Sequence, residues 1–142
     1  MLKRLVSIAL VLMFALSVVV MGVSASNHLD KDFSFDFTAW ERDTEWRWKE
    51  NTTSAYMKCT NTGATYWGKV YEAYYGNSTT MWQYDRSHGY EYSFNSGTVR
   101  FMLNWVREET NVPYYADPRA FIKGRSGPII YTAVGVWSPD SV

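Results

Sequence analysis

The chain has 142 residues, carries 14 Lys and Arg against 14 Asp and Glu, and is 18% aromatic. This balance excludes the basic excess of a nucleic-acid binder, and a single cysteine, Cys59, excludes an intramolecular disulfide. The length suits one domain with a modest core.

Residues 1–25 read as a secretory signal peptide. Lys3 and Arg4 form a basic start, Leu5 to Val20 is almost wholly apolar, and Val23-Ser24-Ala25 presents small residues where a signal peptidase cuts. Cleavage is expected between Ala25 and Ser26. The alternative is an uncleaved anchor, since the 19 apolar-rich residues from Leu5 to Val23 approach the roughly 20 of a spanning helix. The small-residue site and the polar Ser26-Asn27-His28 favour cleavage, which leaves no stable membrane anchor. Residues 26–142 would then be a single exported domain. Loss of Lys3 and Arg4 leaves twelve cations and fourteen carboxylates, a net charge of −2. That argues against electrostatic docking on an anionic membrane. Seven Trp, eleven Tyr and six Phe remain, but only two Leu, Leu29 and Leu103. Rings and β-branched residues suit a pleated sheet, not a helical bundle.

From Asp32 to Thr38, Phe33, Phe35 and Phe37 alternate with polar residues, the period of a half-buried strand. Trp40 to Asn51 is charged and irregular, and would set Trp46 and Trp48 on one face. A second strand runs from Ala55 to Thr60, with Ala55, Met57 and Cys59 opposite Tyr56 and Lys58. Asn61-Thr62-Gly63 turns the chain into a strand over Tyr66 to Tyr74. Thr80 to Tyr84 forms another, and Asp85-Arg86-Ser87-His88-Gly89 turns it towards a strand bearing Tyr90, Tyr92 and Phe94. Thr98 to Val106 reads as a central strand covered on both sides, with Phe101 and Trp105 in the core. Residues 107–128, punctuated by Pro113, Pro118, Gly124, Gly127 and Pro128, read as a long loop. Ile129 to Trp137 closes the series. These elements predict an all-β fold, a small antiparallel β-sandwich or barrel of about seven strands after an N-terminal signal helix.

Chemistry-bearing motifs are sparse. One cysteine and the two histidines His28 and His88 supply no zinc spacing, and no HExxH, CxxC, GxSxG, phosphate loop or EF-hand loop occurs. No cofactor or metal is expected. Cys59 reads as a small buried hydrophobe, a Cys59–His88 nucleophile pair being the alternative. Asp30, Asp32 and Asp36 read as a solvated face, with a surface calcium contact as the alternative. Glu108 and Glu109 are adjacent, so on a strand they would point to opposite faces. The aromatic surplus is the candidate for function. Trp46 and Trp48 in their charged setting, Trp82 and Tyr84 on a short strand, and His88 in its turn are the candidate binding residues. A cell-wall glycan or another extracellular surface is the expected partner.

The signal, the Phe33-Ser34-Phe35 strand, Asn104-Trp105-Val106 and the ending Gly135-Val136-Trp137-Ser138-Pro139-Asp140-Ser141 resemble an uncharacterised family, a domain of unknown function, of small secreted proteins from Gram-positive bacteria. The resemblance implies a small secreted β-protein and transfers no catalytic residue. A looser similarity links the chain to lactococcin-972-type bacteriocins, through the turn Tyr84-Asp85-Arg86-Ser87-His88-Gly89-Tyr90. The expectation is a non-enzymatic extracellular binding protein acting through exposed aromatics. The alternatives are a bacteriocin-like exported factor acting on neighbouring cells, and a cell-wall or glycan-active enzyme.

Overall fold

The structure is a computed structural model that describes residues 27–75, 81–110 and 118–141. The expected signal segment, with the Ala25–Ser26 junction, lies outside these residues. Ten strands fill the described part: β1 (Lys31–Asp36), β2 (Glu41–Asp43), β3 (Arg47–Trp48), β4 (Ala55–Thr62), β5 (Tyr66–Tyr75), β6 (Met81–Asp85), β7 (Tyr92–Phe94), β8 (Val99–Met102), β9 (Arg119–Arg125) and β10 (Thr132–Ser138). The fold is all-β, as its composition predicts.

The strands form two antiparallel sheets. One has the order β1-β10-β4-β8. In the other, β9 and β5 lie at the centre. The short strands β2 and β3 both pair with β9, and β6 and β7 both pair with β5. Phe33, Phe35 and Phe37 point between the sheets as their alternation predicts, and all three are buried. The Phe35 ring meets Tyr66 edge-on at 5.7 Å, and Tyr66 stacks on Phe94 at 5.1 Å. Gly124 gives the Phe35 ring its room, since a Cβ there would lie 2.6 Å from it. Gly135 sits beside an irregularity in the β10–β4 ladder, where a Cβ would lie 1.9 Å from the Lys58 carbonyl oxygen.

Two expectations are corrected. Residues 119–125, read as part of a loop, form β9 at the centre of the larger sheet. Ala120, Ile122 and Gly124 alternate inwards, and Pro118 and the Gly127-Pro128 pair bracket the strand without interrupting it. Residues 98–106, read as one central strand, form a short edge strand. β8 stops at Met102 because the buried Asn104 side chain donates to the Met102 carbonyl at 3.2 Å and accepts from the Val106 N–H at 3.4 Å. Met102 and Val106 enter the core, whereas Phe101 is 58% exposed and Trp105 only half-buried.

The two ends of the described chain are clamped by one carboxylate. Lys49 and Asp140, both fully buried, form an ion pair of 2.7 Å. Asp140 also accepts from the backbone N–H groups of Asn27, Glu50 and Asn51 at 3.1, 3.1 and 3.4 Å. The Lys49 ammonium donates in addition to the Thr53 carbonyl.

Candidate binding site

β5 is ten residues long, and β6 and β7 share one of its edges. Between them, residues 86–91 leave the sheet and return. Asp85 holds the start of this excursion by accepting from the Ser87 N–H at 2.9 Å and its hydroxyl at 2.5 Å. Burial pushes the Asp85 carboxyl up, but these bonds together with Lys69 at 3.3 Å hold it below its usual range. His88 and Gly89 then take φ values of 50° and 85°. A left-handed backbone is uncommon for a residue with a side chain, and it turns the His88 imidazole back over the molecule.

Cross-strand register places Glu72, Tyr84, Tyr74 and Trp82 on the face of β5 and β6 that carries the core residue Val70. Glu72 is fully buried. Arg86 donates to its Oε2 through Nε at 2.8 Å and Nη2 at 2.7 Å, and the Thr110 hydroxyl donates to Oε1. The same guanidinium lies 5.1 Å from the Tyr84 ring and donates to Glu109 Oε2 at 3.4 Å. Glu109 Oε1 meets His88 Nε2 at 2.8 Å. The imidazole stacks on Trp105 at 4.2 Å and 10°, and Tyr90 stacks on the same indole at 6.1 Å. A backbone bond from Trp105 N–H to the Arg86 carbonyl at 2.9 Å ties the two segments together.

The result is a continuous network from buried carboxylate to exposed rings. Glu72 has no open side for a substrate. Glu109, His88 and Tyr90 are open to solvent, and Trp82 is 53% exposed. Such a surface offers apolar ring faces beside hydrogen-bonding groups whose positions are fixed from beneath.

The five candidate residues therefore separate. Trp82, Tyr84 and His88 belong to this cluster. Trp46 and Trp48 lie on the opposite face of the sheet. Trp46 packs on Phe121 at 6.3 Å, and the Arg119 guanidinium sits 4.4 Å from the Trp48 ring. Arg125 and Lys123 cover Trp67 and Tyr71 in the same way, at 5.7 and 5.1 Å. These cations are themselves engaged, Arg125 with Glu91 at 3.2 Å and Lys123 with Glu41 at 3.7 Å. Burial raises the Asp43 carboxyl and the Tyr71 hydroxyl on this face. Three of its rings, Trp48, Trp67 and Tyr71, thus carry a cation over one face, although Trp48 is still 47% exposed.

Glu72, Arg86, Tyr90, Trp105 and Glu109 were not among the candidates. Glu72 had a signal: strand alternation sets it on the same face as Tyr66, Val70 and Tyr74, where a lone carboxylate needs a buried partner. Cys59 is fully buried between the sheets, and burial pushes its thiol above the usual range. The exposed His88 directs Nε2 to Glu109 instead. Asp30, Asp32 and Asp36 are exposed. Among the described residues, no three His, Cys, Asp or Glu side chains are placed to hold a metal ion.

No curated protein and no solved structure matches the chain. A family model described as a protein of unknown function, DUF2712, matches residues 21–141, and the chain belongs to that family.

Proposed function

We propose that this chain is an exported, non-catalytic binding module that holds a cell-surface glycan on the cluster around Trp82, Tyr84 and His88. One observation carries the reading: Trp82 is more than half exposed on a paired strand, beside a network that fixes Arg86, Glu109 and His88. Sugar rings present C–H faces that stack on indoles and hydroxyls that pair with carboxylate, guanidinium and imidazole groups. The signal-like residues 1–25 support an extracellular ligand.

A glycan-cleaving enzyme is the second reading, because two carboxylates meet on Arg86 and one of them, Glu109, also meets His88. Burial of Glu72 beneath Arg86 and Thr110 weighs against it, since neither oxygen can reach a glycosidic bond. The test is a pull-down on purified peptidoglycan and a panel of insoluble polysaccharides, with reducing-sugar release followed in parallel. Retention without sugar release is expected. Trp82→Ala should weaken retention about tenfold, the upper range of one ring contact, with an unchanged melting temperature. Absence of retention on every polymer, or retention unaffected by Trp82→Ala, would refute the assignment.

A further inference from the structure

The outer face of the four-stranded sheet carries a cleft that belongs to a different sheet from the Trp82 cluster. Ser138, Tyr56 and Phe101 are successive cross-strand neighbours on β10, β4 and β8, on the side turned away from the buried Met57 and Trp137. Asp30, the residue before β1, continues this row beyond Ser138. His28 and Leu29 close one side and leave a mainly apolar cleft of about 350 Å³. Two rings form its corner: the Tyr56 and Phe101 centres lie 5.5 Å apart with their planes tilted by 54°.

Two carboxylates border the cleft, and they differ. Asp140 is neutralised by Lys49, and its oxygens also accept from the N–H groups of Asn27, Glu50 and Asn51. Asp30 is exposed and has no hydrogen bond or ion pair among the described residues. Arg47 senses its charge, but that guanidinium is held by Asn27 Oδ1 and the Trp137 carbonyl at 2.8 and 3.0 Å and does not line the cleft. Burial raises the Tyr56 hydroxyl and the Asp30 charge adds to the shift, so the acid acts on the cleft itself.

We propose that this cleft binds a quaternary ammonium group, a trimethylammonium head on a short chain, with its methyls on the Tyr56 and Phe101 rings and its charge facing Asp30. Two ring faces, an aliphatic wall and one unneutralised carboxylate are complementary to an organic cation. The shortage of acceptors selects the quaternary form. A primary ammonium brings three N–H donors, and the Ser138 hydroxyl is already turned to the Asp140 carbonyl at 2.9 Å. A quaternary head has no N–H to satisfy. Lys58 stands on the same face two residues along β4, about 7 Å away, which favours a monocation over a polyamine.

The probe is choline chloride, titrated into the ¹⁵N-labelled protein and followed by amide chemical shifts. Saturable shifts are expected at Leu29, Asp30, Tyr56 and Phe101. The neutral isostere 3,3-dimethylbutan-1-ol should bind about tenfold more weakly, since it keeps the shape and loses the charge. Ethanolamine should also bind more weakly. Asp30→Asn and Phe101→Leu should each weaken choline binding about fivefold, the upper range of an exposed charge pair or ring contact, with the thermal melt unchanged. Cosedimentation with phosphatidylcholine but not phosphatidylglycerol vesicles would place the head on a lipid; binding of free choline alone would make the ligand soluble, and both keep the site. The proposal is overturned by no saturable shift, by equal binding of the neutral isostere or of ethanolamine, or by full binding in both variants. Trp82→Ala should leave choline binding untouched, so this outcome is separable from that of the glycan reading.

Discussion

Asp140→Asn is the perturbation that most directly tests how this small domain holds its ends. Asp140 receives the Lys49 ammonium at 2.7 Å, both side chains being out of solvent, and three part-buried backbone N–H groups. Asparagine keeps the shape but has one acceptor oxygen and no charge, so it strands a buried ammonium whose remaining acceptor is the Thr53 carbonyl. Breaking a buried pair from one side costs about 3–5 kcal/mol. For a domain of this size that corresponds to a fall in melting temperature of about 12–20 °C. Lys49→Met should cost less, about 1–3 kcal/mol, because Asp140 keeps its three backbone donors. The two variants also differ in pH dependence. Burial already lowers the Lys49 pKa, and Asp140 opposes that shift. Without Asp140 the folded-state pKa drops further below the unfolded one, so between the two values the unfolded chain binds more protons. Stability of Asp140→Asn should therefore rise with pH through that window. Urea unfolding followed by circular dichroism between pH 6 and 10 measures all three effects. A cost below about 1 kcal/mol for Asp140→Asn, or an equal cost for Lys49→Met, would refute a charge-based clamp.

Gly135→Ala should destabilise by more than about 3 kcal/mol, because its Cβ meets the backbone oxygen of Lys58 at 1.9 Å. Gly124→Ala should cost less, since its nearest contact is the edge of the Phe35 ring at 2.6 Å; urea midpoints in the opposite order would contradict this. Cys59 should react with a thiol reagent only at the global unfolding rate, as burial both shields it and raises its pKa; fast labelling in native buffer would count against a sealed core. Asp85 has a folded pKa below its ordinary value, so its contribution is complete above the ordinary carboxylate range and is lost as pH falls through the lowered pKa. Asp85→Asn should flatten that acid limb of the stability profile, and an unchanged limb would remove Asp85 from the turn's support.

What was legible in the fold followed from local alternation. Phe33, Phe35 and Phe37 reached the core because a half-buried strand has period two and a ring has one place to go. Ala55, Met57 and Cys59 did so for the same reason. Alternation fails where both faces of a strand carry side chains that suit burial. β9 has Phe121 on one face and Ile122 on the other, each fully buried, and its flanking prolines and glycines look like a loop in one dimension. Residues 98–106 mislead in the opposite sense. Their apolar content suggests a core strand, but the outward side chains of an edge strand can be apolar when a neighbouring surface is there to meet them. The strand's end is set by Asn104, whose amide captures the backbone of Met102 and Val106, a choice that depends on burial and not on period.

The candidate site was half legible for a related reason. Trp82, Tyr84 and His88 lie within seven residues, so a single turn keeps them together. Glu72 joins them from 14 residues away from Arg86 by the β5–β6 pairing, and Glu109 from 23 residues away in the turn that the Trp105 N–H ties to the Arg86 carbonyl, links that no local spacing encodes. Trp46 and Trp48 looked equivalent to Trp82 because composition records rings and not what lies on them. The difference is the neighbour: Arg119 covers Trp48, whereas the Arg86 guanidinium is turned inwards by Glu72 and lies against Tyr84, not Trp82. A buried carboxylate thus acts on the surface at one remove. By holding Arg86 it fixes Glu109, through Glu109 the imidazole, and through the imidazole the stack on Trp105. Glu72→Gln should accordingly keep Trp82 exposed yet loosen the His88–Trp105 stack, so the two halves of the proposed sugar platform can be separated by a substitution that touches neither ring.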